Sequence, residues 1–66
     1  MIQVKKQLAV LSALYKRELS PDLVAFYMDS FEGISEDVVS EALKKCSAEV
    51  NRFPTIADIH QRIGRI

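Results

Sequence analysis

The chain holds one cysteine, one histidine, two glycines, two prolines and no tryptophan in 66 residues. With Cys46 alone, no internal disulfide framework can form, which fits a reducing cytosol. Cys46 and His60 together fall short of the four Cys/His ligands that a structural zinc site requires. Gly33 and Gly64 stand apart and each fits a helix stop, so no glycine-rich loop is present to cradle a phosphate. Long apolar runs are missing as well. The apolar residues near the N-terminus are interrupted by Gln3, Lys5, Lys6 and Gln7, so neither a secretory signal nor a membrane span fits, and the expected location is the cytoplasm.

Charge of one sign is also missing from the middle of the chain. Between Ser20 and Leu43 there is no Lys or Arg, only Asp22, Asp29, Glu32, Glu36, Asp37 and Glu41, although the whole chain has a formal net charge of zero. The cations lie outside that stretch: Lys5, Lys6, Lys16 and Arg17 before it, and Lys44, Lys45, Arg52, Arg62 and Arg65 after it. A nucleic-acid footprint over the whole domain wants a continuous basic surface, which this distribution denies, though a local patch remains open. Helix dipoles offer a plainer account. Asp22, Glu36, Asp37 and Asp58 fall near expected helix starts, and Lys16, Arg17, Lys44 and Lys45 toward helix ends.

An apolar fraction of 48% is too high for a disordered chain and predicts a packed core. The length suits a single domain over residues 1–66, small enough that a partner or a second copy would add useful stability. The periodicity predicts four helices. Val4, Leu8, Leu11 and Tyr15 mark one face of a first helix from about Gln3 to Glu18, with Val10 and Leu14 widening that face toward a second neighbour. Ser20-Pro21-Asp22 opens the second helix with a capping hydroxyl, a proline that needs no amide hydrogen, and an acid at the positive dipole end. That helix runs to about Glu32 with Leu23, Val24, Tyr27, Met28 and Phe31 inward, and Gly33 supplies a left-handed stop before Ile34 caps the core.

Ser35-Glu36-Asp37 starts a third helix whose buried side is Val38, Val39, Ala42, Leu43, Cys46 and Val50, ending near Asn51. In Phe53-Pro54-Thr55, proline disfavours helical geometry at Phe53, and Thr55 caps a short fourth helix with capping-box spacing to Asp58. Ile56, Ile59 and Ile63 give that helix an apolar edge. No strand alternation or internal repeat appears. The fold class is therefore all-α, a compact four-helix bundle with short turns. Gly64-Arg65-Ile66 follows the last helix directly and reads as a domain boundary, or as the end of the N-terminal part of a longer protein.

The residues that carry chemistry elsewhere are scarce here. His60 falls off the apolar edge of its helix, where a surface position is expected. Cys46 sits on a buried stripe, where a small apolar residue belongs. Glu36 and Asp37 are neighbours in a first helical turn and are explained by the dipole. No nucleophile with a partner base can be assembled, so the chain reads as no enzyme, with no cofactor and no metal. Phe26 is different: it lies about 130° from the centre of its helix's apolar stripe. Either another helix covers it or it anchors a partner, with Met28 and Asp29 beside it as candidate partner-binding residues. An acidic helix-two and helix-three region would repel nucleic acid and suit a basic protein. Two alternatives remain: a small DNA-binding domain using Lys44, Lys45, Arg52, Arg62 and Arg65, and a homodimer that buries Phe26 and Met28.

The order of these signals resembles the folded N-terminal domain of the phage and prophage replicative helicase loader/inhibitor proteins. The similar run comprises a helix ending near Leu14-Tyr15, a Ser20-led helix with Phe26-Tyr27, the segment Asp37-Val38-Val39-Ser40-Glu41-Ala42-Leu43, and Arg52-Phe53-Pro54-Thr55-Ile56-Ala57-Asp58-Ile59. It covers about Leu8 to Ile63, and Phe-Pro-Thr-x-Ala-Asp-Ile is its most specific part. The family often has two prolines after the aromatic, where this chain has Pro54 alone before Thr55. The resemblance implies a non-enzymatic helical domain in the bacterial host cell that delivers, or holds inactive, a ring-shaped replicative DNA helicase. In that family a flexible C-terminal tail usually makes the helicase contact.

Overall fold

A computed structural model describes residues 1–65 and contains four helices: α1 (Ile2–Leu14), α2 (Pro21–Asp29), α3 (Glu36–Glu49) and α4 (Ile56–Ile63). No strand occurs among the described residues. Ile66, the last residue of the expected boundary, lies outside them.

Three of the four helices are started by their own sequence. The Ser20 hydroxyl accepts the Leu23 N–H at 3.1 Å with Pro21 in the first turn, and the Ser35 hydroxyl accepts the Val38 N–H at 3.4 Å. Thr55 and Asp58 form the full capping box: Thr55 Oγ1 accepts the Asp58 N–H at 3.1 Å, and Asp58 Oδ2 accepts the Thr55 N–H at 3.0 Å.

The first helix has no such device, since Met1 precedes it and offers no side-chain cap. Its orphan amides are satisfied from α3. The Glu36 carboxylate accepts the Gln3 N–H at 2.8 Å and the Val4 N–H at 3.2 Å. Two further bonds follow along the same pair of helices: Gln7 Nε2 donates to the Ser40 carbonyl at 3.2 Å, and the Tyr15 hydroxyl donates to the Val50 carbonyl at 3.2 Å. These three ties at the start, middle and end of α1 fix its position on α3.

Helix ends depart more from expectation. The first helix stops at Leu14 rather than Glu18, because Lys16 turns into the left-handed region with φ 53°. The Lys16 N–H reaches the Ala13 carbonyl at 3.4 Å and the Arg17 N–H reaches the Ser12 carbonyl at 2.9 Å, the paired bonds of a Schellman close. Glycine usually fills that position, so a lysine there bears a steric cost of roughly 1 kcal/mol. The second helix ends at Asp29 rather than Glu32. Three-residue turns then carry the chain to Gly33, whose φ of 81° supplies the expected left-handed stop. Gly64 closes α4 with φ −66°, a conformation open to any residue.

The dipole account holds for the acids but not for the cations. Asp22, Glu36, Asp37 and Asp58 all sit in first turns. Lys16 and Arg17, by contrast, lie beyond the end of α1, Lys44 and Lys45 lie more than one turn before the end of α3, and the last turns of α1, α2 and α3 hold no basic residue.

The core is built from one face of each helix. Val4, Leu8 and Leu11 come from α1, Tyr27 from α2, Val39, Ala42, Leu43 and Cys46 from α3 and Ile59 from α4, with Phe31 and Phe53 contributed by the connections. The third helix is central, packed most extensively on α4 and next on α1. Tyr27 meets Phe53 edge to face at 5.8 Å, and its hydroxyl donates to the buried Pro54 carbonyl at 2.8 Å. That bond fixes the Phe53-Pro54-Thr55 corner where the sequence places it. Phe31 is fully buried.

Two expectations about α1 and α4 are corrected here. Val10 and Leu14 do not extend the buried face of α1, because each is 65% exposed. His60 is half-buried rather than on the surface, its ring stacked on Phe31 at 5.9 Å.

Candidate functional site

The chemistry of the described residues is quickly bounded. No group of three or more metal-ligating side chains comes together, and no helix is long and apolar enough to cross a membrane. Cys46 lies in the core, and burial pushes its thiol up, with nearby Arg62 offsetting only part of that effect. A buried thiol of raised pKa is a poor nucleophile.

Glu36 serves α1 rather than a substrate. Asp58 is occupied by the capping box and by Arg52, whose Nη1 approaches its Oδ2 at 2.7 Å. The Arg52 hydrogen bond, helped by the Thr55 amide, holds the Asp58 carboxyl down to about 2.

The cations considered for nucleic acid differ in burial and in ion pairing. Arg62 is the exception to its expected role, since it is buried: Nε lies 2.8 Å from Glu49 Oε1 and Nη1 donates to the Asp58 carbonyl at 2.9 Å. It ties α4 to α3 and is not available for a phosphate. Arg65 approaches the same Glu49 oxygen at 4.0 Å, and Arg52 is engaged by Asp58. Lys44 and Lys45 remain without an ion pair among the described residues. Arg62 is therefore withdrawn from the five, while Lys44, Arg52 and Arg65 stay exposed.

The apolar surface is more informative. Phe26 is 66% exposed, and no helix reaches round to cover it. At about 100° per residue, Asp22 and Asp29 lie one turn to either side of Phe26 on the same flank of α2. Neither makes an ion pair among the described residues. Met28 is placed about 200° round the helix from Phe26 by the same count, and it packs against the core. The three candidate partner-binding residues therefore divide: Phe26 and Asp29 share an outward face, and Met28 does not.

A second apolar feature lies between α1 and α3. Leu11 and Leu43 line a groove of about 200 Å³ with the exposed Val10, and Lys6, Lys44, Gln3, Gln7 and Ser47 complete it. Gln7 Oε1 is buried here without a hydrogen-bond partner. Sequence reasoning missed this groove because periodicity assigns Val10 to an apolar arc without saying whether anything faces it.

Comparison with protein-family models, with curated proteins and with solved structures finds no match for this chain.

Proposed function

We propose that the chain is a non-enzymatic protein-interaction domain of a phage-type DNA replication protein, a loader or inhibitor of a replicative helicase. The observation that carries the interaction reading is Phe26, a large aromatic held two-thirds exposed on a helix whose neighbouring acids have no internal partners. Aromatic side chains of this kind are the usual anchors of protein interfaces, and flanking acids select a basic partner surface. The replication reading rests on the resemblance of Arg52-Phe53-Pro54-Thr55-Ile56-Ala57-Asp58-Ile59 and the helices before it to the loader/inhibitor family. An all-α bundle accords with it.

Calorimetric titration of the cognate replicative helicase provides the test, with the chain alone and with its native downstream sequence attached. Binding is expected, and Phe26→Ser should weaken it about tenfold or more. No heat of binding in either form would remove the helicase reading. Binding indifferent to Phe26→Ser would remove this surface.

A further inference from the structure

Two features remain that neither the core nor the helicase reading uses together: the α1–α3 groove, and the placement of acids beside Phe26. Asp29 occupies the last turn of α2, where the helix dipole disfavours a negative charge, and it has no ion pair to offset that among the described residues. Lys5 lines the same cleft as Asp29 but forms no ion pair with it. Lys6 and Lys44 border the groove and are likewise without ion pairs among the described residues. The groove itself is apolar where Val10, Leu11 and Leu43 line it, and its volume of about 200 Å³ is on the scale of one aromatic side chain.

We infer that the α1–α3 groove receives Phe26 of a second copy of this chain, with Asp22 and Asp29 of the incoming helix set against Lys6 and Lys44. Charge complementarity identifies the occupant. The knob is an aromatic between two unpaired acids, and the socket is apolar between two unpaired lysines. The same match appears along the sequence, where a stretch without a cation lies between two basic ones in a chain of zero net charge. Since knob and socket are different surfaces of one molecule, the contact is head-to-tail and leaves each pair with a free knob and a free socket. One aromatic and two exposed ion pairs make a small interface, so the association is weak, concentration-dependent and reduced by salt. It does not depend on the helicase reading, although the two share Phe26.

Sedimentation velocity over a concentration series up to about millimolar tests the inference, with circular dichroism confirming that each variant is folded. Phe26 and Val10 are both largely exposed, so Phe26→Ser and Val10→Asp should preserve the fold. The wild type is expected to show growing mass with concentration, extending beyond a dimer and falling back as salt is raised. Each variant alone should stay monomeric. An equimolar mixture of the two should form a dimer and nothing larger, since one variant keeps only its socket and the other only its knob. A wild type that is monomeric throughout would overturn the inference. So would Val10→Asp associating like the wild type, which would mean a symmetric contact through Phe26, or a mixture that stays monomeric. The folded, monomeric Val10→Asp variant also lets helicase binding be measured separately, so that one reading can fail without the other.

Discussion

At the scale of single residues, Asp58 holds the Arg52 guanidinium and the Thr55 amide at once. Its carboxyl is held at about 2, below the ordinary 3.8. A group whose folded pKa is depressed contributes its stability fully above the unfolded value and loses it as pH falls through the folded one. The contribution of Asp58 is therefore complete above about pH 4 and disappears toward pH 2. Asp58→Asn should lower stability at neutral pH by about 1 kcal/mol and flatten the acid limb between those values, measured as urea midpoints against pH. An unchanged acid limb would show that the pair does not persist in solution. The role of Asp58 was legible in sequence because a capping box lies within four residues. The burial of Arg62 was not, because its partner Glu49 belongs to another helix and no local pattern distinguishes a surface arginine from one that ties two elements.

At the scale of elements, helix starts were easier to read than helix ends. Ser20-Pro21-Asp22, Ser35-Glu36-Asp37 and Thr55-Ile56-Ala57-Asp58 announce starts in a few consecutive residues, and all are used. The end of α1 at Leu14 depends on a left-handed lysine, a conformation that lysine does not advertise. The cap of α1 was beyond sequence reasoning altogether. Glu36 reads as a first-turn acid serving its own dipole, yet its carboxylate closes the amides of a different helix more than thirty residues earlier. This separates two neighbouring acids. Glu36→Ala should cost about 1 kcal/mol, as loss of a cap does, whereas Asp37→Ala, an exposed first-turn acid without such a contact, should cost less. Equal losses in thermal unfolding would reduce Glu36 to a dipole effect.

For the molecule as a whole, a chain of this length has roughly 3–10 kcal/mol of stability to lose. Phe31, fully buried among the helices and stacked on His60, is positioned to remove most of it. Truncation of a buried Phe costs roughly 3–5 kcal/mol, so Phe31→Ala should leave little or no cooperative unfolding transition by circular dichroism at ambient temperature. A variant that still melts sharply near the wild-type temperature would show that the core repacks around the gap. The all-α bundle was legible from periodicity, and so was burial of Cys46. Periodicity could not show that Val10, Leu14 and Phe26 stay exposed, since an apolar face is a property of one helix and its covering a property of two.

The borrowed cap of α1 also sets an order of events. The helices α2, α3 and α4 carry their start signals within themselves. The first helix has its Gln3 and Val4 amides satisfied only after α3 exists and the intervening chain has closed. Its amide hydrogens are expected to exchange at a lower opening energy than those of α3, which packs on both α1 and α4. Because α1 forms one wall of the groove that Val10 and Lys6 line, any opening that releases it also dismantles the socket, and assembly of copies would in turn slow the exchange of α1.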